Sequence, residues 1–291
     1  MSRLSEWLQD GVRITDGAWG TQLQARGLAL GASPDSWNLT HPERVEEVAR
    51  AYVEAGSEVI LTNTFRANAL AMEGDLDAIN RAGVEISLRA AKGRAAKGRA
   101  LVFASIGPTG KMLMTGETTA EQMSAAFAAQ AASLAAAGAD ALLIETMSDT
   151  DEARLAVTAA KRTGLPVIVS FAFDSGRNKD RTMMGATPEA VAAAMAEAGA
   201  DGVGANCGVG VEHAAALCAR LRAACELPVW IKPNAGLPKM EGSEVRYDVS
   251  AEWFAAHFAA LREAGAAFVG GCCGSTPEFI GALVKARCAC A

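Results

Sequence analysis

The 291 residues predict a single closed (β/α)8 barrel, one domain over 1–291, with its active site at the C-terminal ends of the strands. Three observations predict it. Eight short apolar runs occur in series, and each is followed by a stretch of helical character. The runs are apolar throughout rather than alternating, as in a parallel sheet buried on both faces. A recurring phrase, EAGSE, AAGAD, EAGAD or EAGAA, ends a helix and leads straight into the next run. Glycine in that phrase can take the left-handed conformation that stops a helix. The competing architecture is an open doubly wound sheet. No GxGxxG or GxxxxGK[ST] string follows any run, so a nucleotide-binding version of it lacks its usual signature.

In chain order the strands are predicted at Val12–Thr15, Glu58–Thr62, Leu101–Ser105, Ala141–Ile144, Pro166–Phe171, Gly202–Ala205, Pro228–Ile231 and Ala267–Val269. The helices follow at Pro42–Ala55, Asp75–Lys97, Ala120–Ala137, Asp149–Thr163, Pro188–Ala198, Val211–Ala224, Ala251–Ala264 and Pro277–Ala286. Thr40-x-x-Glu43, Thr118-x-x-Glu121 and Ser275-x-x-Glu278 fit the capping-box pattern. Pro42, Pro188 and Pro277 fall in first helical turns, where a missing N–H costs little.

Composition narrows the function. Hydrophobic residues make up 51% of the chain, enough for a large core, and the net charge is −6. No basic stripe suits nucleic acid or an anionic membrane. The one dense basic run, 92-KGRAAKGR-99, reads as a solvated helix end. The N-terminal stretch has no long apolar core, and no segment is long and apolar enough to span a bilayer. The chain is therefore expected in the cytoplasm. There its seven cysteines stay largely reduced and become metal-ligand or catalytic candidates before disulfide candidates.

The unusual polar residues fall at strand ends. Asp16 follows the first strand, Asn63 and Thr64 the second, and the GPTG turn the third. Glu145, Asp174, Asn206–Cys207, Asn234 and Cys272–Cys273 follow the fourth to the eighth. In a barrel all of them converge on one mouth.

Cys207, Cys272 and Cys273 are candidate ligands for one Zn²⁺. Catalytic zinc sites use three protein ligands and keep a fourth position open. Adjacent cysteines alternate faces in a regular strand, so both reach one ion only if the chain bends; Gly270, Gly271 and Gly274 supply that freedom. Buried inert thiols and a vicinal disulfide stand beside this reading. Cys218 and Cys225 read as packing residues, and Cys288 and Cys290 receive no role. Three thiolates on Zn²⁺ make a poor activator of water and a good host for a fourth thiolate, which favours alkyl transfer to sulfur over hydrolysis.

At these residues the chain resembles the zinc-dependent homocysteine S-methyltransferases, which include the betaine-dependent enzymes and the homocysteine-binding domain of cobalamin-dependent methionine synthase. The resemblance runs through 16-DGAWGTQL-23, 61-LTNTF-65, 105-SIGPTG-110, 144-IETMSD-149, 204-GANCGVG-210, 232-KPNAG-236 and 270-GGCCG-274. It implies Cys207, Cys272 and Cys273 as zinc ligands. It further implies Asp16 and Glu145 on the ammonium of L-homocysteine, and backbone N–H groups at Gly17 and Ala18 on its carboxylate. Asn234 would fill the fourth zinc position or hydrogen-bond behind the ligands. No catalytic residue beyond the zinc site is implied. Lys232 reads as a structural ion pair, with Schiff-base chemistry as its alternative.

The implied reaction moves a methyl group onto homocysteine and yields L-methionine. A non-catalytic zinc- and homocysteine-binding subunit of a split methionine synthase is the alternative. Arg66 stands where the betaine-dependent members carry a tyrosine, and Trp37 is out of register with their aromatic residue, so a cationic donor loses its cation–π support. Trp19 is a candidate pocket wall. The chain ends soon after GGCCG, so the donor is expected to be a separate methyl-corrinoid protein or a small onium compound such as betaine.

Overall fold

The computed structural model describes residues 3–94, 98–237, 239–241 and 244–290. Eight parallel strands form one sheet: β1 (Arg13–Ile14), β2 (Val59–Leu61), β3 (Leu101–Ile106), β4 (Ala141–Met147), β5 (Val167–Phe171), β6 (Gly202–Gly210), β7 (Val229–Asn234) and β10 (Ala266–Val269). They run in the order β1-β10-β7-β6-β5-β4-β3-β2. A single parallel bridge, Thr15 to Val59, joins the two edges, and the Glu58 N–H donates to the Ile14 carbonyl at 2.7 Å. The predicted barrel is thereby closed, with helices between successive strands. A two-stranded hairpin of β8 (Lys239–Glu241) and β9 (Glu244–Arg246) follows β7.

The larger apolar core lies between the strands and the helices. A second, smaller one fills the inside of the barrel around Phe103, Leu143, Ile168, Trp230 and Phe268. Phe103 stacks on Trp230 with centroids 5.9 Å apart, and Trp230 meets Phe268 at 5.3 Å. Leu4 joins this inner cluster and Trp7 lies against Phe103. The short helix Arg3–Trp7, which periodicity did not reveal, therefore plugs the barrel's N-terminal end.

Side chains in a strand alternate between faces, so residue i+2 also points inward. Two residues beyond the inner apolar layer the chain turns polar. Phe103 is followed by Ser105, Leu143 by Glu145, Ile168 by Ser170 and Trp230 by Lys232. This chemical gradient, from aromatic floor to charged mouth, positions the site.

The helices match the predicted ones with local differences. Glycines 56, 138, 199 and 265 end helices at φ between +84° and +107°, as their phrases imply. The stretch Ala251–Ala264 breaks at His257 into two helices, Ala251–Ala256 and Phe258–Glu263. The one capping box among the three expected regions is Thr119 with Gln122, one residue later than read. The Thr40 hydroxyl donates to the Ser36 carbonyl, and the Ser275 hydroxyl is drawn to Cys272. Lys92–Arg94 form a short 3-10 turn; 95–97 of the basic run lie outside the described residues. Among the described residues no helix is long and apolar enough to cross a membrane.

Candidate metal centre and its cavity

Three cysteines from two strand ends meet at the mouth. The Sγ atoms of Cys207, Cys272 and Cys273 all lie within 4.8 Å of one another, and Cys207 and Cys272 are 2.9 Å apart. Cys207 ends its run in the left-handed region, at φ 56°, a conformation uncommon for a residue with a side chain. Gly208 follows at φ 65°. This double turn shifts the register between β6 and β7 and swings Cys207 toward β10.

The glycines around Cys272–Cys273 work differently from expectation. Only Gly274 has a positive φ, +82°, and the Tyr247 ring packs where its Cβ would be. Gly270 is needed for close approach instead: a Cβ there would lie 1.9 Å from the Thr15 hydroxyl and 2.6 Å from the Asp16 carbonyl. The bend is held by Ser275, whose hydroxyl donates to the Cys272 carbonyl at 2.6 Å.

Crowding three thiols sets their protonation. Contact with Cys272 and Cys273, then burial, holds Cys207 well above the ordinary thiol range. Cys273 accepts from Cys207 and Cys272 and is lowered to about 3. The three converging sulfurs are a donor set suited to a soft or borderline cation.

Two asparagines frame the cluster. Asn206 Oδ1 accepts from the Thr146 N–H at 2.9 Å and the Ser170 hydroxyl at 2.7 Å. Its Nδ2 donates to Thr146 Oγ1 at 2.7 Å and to Cys207 Sγ at 3.5 Å. Asn206 therefore fixes the left-handed Thr146 at φ 62° as well as the neighbouring cysteine. Asn234 accepts from the Cys273 N–H at 3.0 Å and donates to the Gly208 carbonyl at 3.0 Å, tying the two cysteine loops together. With both ends of its amide engaged, Asn234 stands behind the sulfurs and does not line the cavity. Asn206→Ala is expected to cost about 1–3 kcal/mol, because the Thr146 N–H loses its acceptor. It should also weaken metal binding about 10–100-fold. Thermal melts and metal competition with a chelator check both.

The three cysteines open onto a cavity of about 450 Å³. Trp19, Phe65, Asn63, Ser105, Glu145 and Lys232 share its lining, with Arg66 on the rim. Glu145 accepts from the Ser105 hydroxyl at 2.5 Å, and its burial raises it to about 7. Lys232 makes a buried ion pair with Asp16. Burial alone would favour loss of the lysine proton, but Asp16 and then Glu145 outweigh it and hold Lys232 above its ordinary range. A buried, charged, paired ammonium is a poor Schiff-base nucleophile, which favours the ion-pair reading.

Asp16 is fully buried and outside the cavity lining; its Oδ2 takes the Leu61 N–H and the Trp19 indole N–H, each at 2.7 Å. Gly17 and Ala18 do line the cavity, but the Ala18 N–H donates to the Ser275 carbonyl at 3.0 Å. Asp174 is exposed, and the GPTG turn is bound away by Glu152, which takes the Thr109 N–H and hydroxyl. Trp37 packs on His41 in the helical shell. The Arg66 guanidinium donates to the Ala71 carbonyl at 3.1 Å. Cys218 is buried and donates to the Ala264 carbonyl, as a packing residue does. Sequence reasoning gave Asn206 no specific task, and its position directly before Cys207 at a strand end is the one signal that could have found it.

The chain is similar to known proteins in sequence and in fold. The homocysteine S-methyltransferase family model matches residues 13–287. Methionine synthase from Mycobacterium tuberculosis is 32% identical over 95% of the chain, and that from Mycobacterium leprae 31% over 99%. The chain spans about 25% of the length of each. The homocysteine methyltransferase MmuM from Escherichia coli, in its oxidized form, superposes with a TM-score of 0.81 at 26% identity, covering 98% of this chain and 100% of that one. Its metallated form gives 0.79 at 26%, covering 98% and 99%.

Proposed function

The chain belongs to the homocysteine S-methyltransferase family, and from that premise we propose that it moves a methyl group from a donor to the sulfur of L-homocysteine, yielding L-methionine. The observation that carries this reading is the convergence of three cysteine sulfurs on a cavity that also holds a buried carboxylate. Cys207, Cys272 and Cys273 would hold Zn²⁺, whose thiolate ligands suit it and whose fourth position suits an incoming sulfur. Zinc, when bound, keeps a thiol deprotonated near neutral pH.

The chain's own residues do the rest. Asn206 donates to the Cys207 sulfur and Asn234 accepts from the Cys273 N–H, so the two hold the cysteine cluster in place. Glu145, backed by the charge of Asp16, takes the α-ammonium of the acceptor. Gly17 and Ala18 form the adjoining backbone wall, and Trp19 and Phe65 keep bulk water from the acceptor's carbon chain. In the reaction the donor–methyl bond breaks as the S–CH3 bond forms, and the bond pair leaves with the donor. Fixing the acceptor sulfur supplies the positional part of the rate. The donor is a methyl-corrinoid or a small onium compound, entering past Arg66.

The test is zinc content and methionine formation on one purified sample, with betaine, S-methylmethionine, S-adenosylmethionine and methylcobalamin offered in turn. About one zinc per chain with turnover from one donor is the expected result. Zinc and homocysteine binding without turnover from any donor, a corrinoid protein included, would favour a binding subunit instead. A reduced, folded sample that takes up no zinc would overturn the reading.

A further inference from the structure

Two strained residues sit on either side of β5, one on β4 and one on β6. Among the described residues three non-glycine residues have a positive φ: Thr146 at 62°, Cys207 at 56° and Lys179 at 53°. Lys179 is exposed in a loop, whereas Thr146 and Cys207 both line the cavity. For a β-branched residue such as Thr146 this backbone is costly, and it persists only where the surroundings hold it. The metal reading gives Cys207 a reason for its turn. It gives Thr146 none.

Both turns re-aim a side chain. Leu142 and Ile144 of β4 face the outer core, as do Val203 and Ala205 of β6. Regular alternation would send Thr146 and Cys207 the same way. Instead the β4–β5 pairing slips between Ile144 and Met147, and the β6–β7 pairing slips between Cys207 and Gly210. The two residues then point into the cavity, as side chains at bulges beside a site do.

One side chain holds both turns. Asn206 is 2% exposed. Its Oδ1 accepts from the Thr146 N–H at 2.9 Å and from the hydroxyl of Ser170, on β5, at 2.7 Å. Its Nδ2 donates to Thr146 Oγ1 at 2.7 Å and to Cys207 Sγ at 3.5 Å. These contacts use both donors and both lone pairs of the amide. Thr146 supplies two of the four partners, so it fixes the plane of the amide and with it the N–H aimed at Cys207.

We propose that Thr146 is a positioning residue of the metal centre. Its hydroxyl orients Asn206, Asn206 presents Cys207 to the ion, and Thr146 itself contributes no ligand. The proposal rests on the metal reading above. Strain on β4 is kept because it brings a hydroxyl within reach of an asparagine two strands away.

Zinc competition against a chromophoric chelator tests it, on reduced wild-type protein and on Thr146→Ser, Thr146→Ala and Thr146→Gly. Melting temperature is measured on each protein without metal. Serine keeps the hydroxyl. Alanine and glycine both remove it, but glycine takes a positive φ at no steric cost and so relieves the strain. Zinc affinity is expected to fall about 10–100-fold in Thr146→Ala and in Thr146→Gly, the range for losing an outer partner of a metal ligand. Thr146→Ser should stay within about threefold of wild type. Thr146→Gly should melt above Thr146→Ala, which separates affinity from stability; if the alanine variant does not fold, serine against glycine carries the same comparison. An affinity that simply follows the melting temperature across the proteins would overturn the proposal and leave Thr146 a structural part of the sheet. Equal losses in the serine and glycine variants would overturn it by excluding the hydroxyl, and so would a glycine variant that binds zinc like wild type. Wild-type protein, reduced and folded, that takes up no zinc would instead sink the metal reading itself.

Discussion

Alanine at Cys207, Cys272 or Cys273 is expected to abolish stoichiometric metal and lower methionine formation by about a thousandfold or more. Two losses combine. Without the ion the acceptor is a free thiol, only a few per cent ionised at pH 7. It also loses its fixed position, and well-oriented placement can supply several kcal/mol of a barrier. Two sulfurs cannot replace three, because the cluster draws one ligand from β6 and two from the bend after β10. Cys218→Ala is the matched control. It removes a buried thiol from the helix Ala214–Ala224, away from the cavity, and should lower stability while leaving metal content and activity unchanged. Metal analysis and initial rates on the four variants decide the matter. Full activity in any ligand variant after chelation would exclude the metal-thiolate mechanism.

The cysteine cluster was legible in the sequence because two levels of inference agree on it. Strand order brings Cys207 and Cys272–Cys273 to the same mouth, and their chemistry suits one ion. Three of the strands were read markedly short, whereas β1 and β2 were read one residue long at each end. β4 continues to Met147, β6 to Gly210 and β7 to Asn234, three to five residues past their predicted ends. The cause is common to all three. Near the mouth the inward side chains become polar, so Glu145, Asn206 and Lys232 look like loop residues although their backbones still belong to the sheet.

What pattern could not supply was pairing. Nothing in the spacing of Asp16 and Lys232 says that they meet across 216 positions. Nothing in a lone asparagine on β6 says that it will reach past β5 to satisfy a left-handed Thr146 on β4. The capping boxes failed for a related reason: Ser275 has a better partner in the Cys272 carbonyl than in its own helix. Local rules gave way where the site needed the residue.

The same trade appears at Glu145, where Glu145→Gln is expected to weaken homocysteine binding and to strengthen the fold. Removing the negative charge costs the α-ammonium its counterion, about 10–100-fold in affinity for a charge-assisted hydrogen bond in a buried site. The stability effect follows from burial, which raises the folded carboxyl from 4.5 to about 7. The unfolded chain releases this proton near pH 4.5, whereas the folded protein keeps it until about pH 7. Between those values the folded state binds more protons, so the contribution of Glu145 to stability falls as pH rises. Below the window both states are protonated and nothing is lost. Above it the full penalty applies, about 3 kcal/mol from the size of the shift. Glutamine keeps the acceptor for the Ser105 hydroxyl and never ionises. The variant should therefore melt close to wild type at pH 4 and clearly above it at pH 8. Saturating homocysteine should narrow the gap at pH 8, because the ammonium stabilises the ionised form of Glu145 in the wild-type protein. Parallel melting profiles from pH 4 to 8 would mean that Glu145 carries no buried charge, and the ammonium would have to be held elsewhere. A gap that opens with pH and closes with ligand would identify Glu145 as a charge kept at the expense of the fold for the sake of the acceptor.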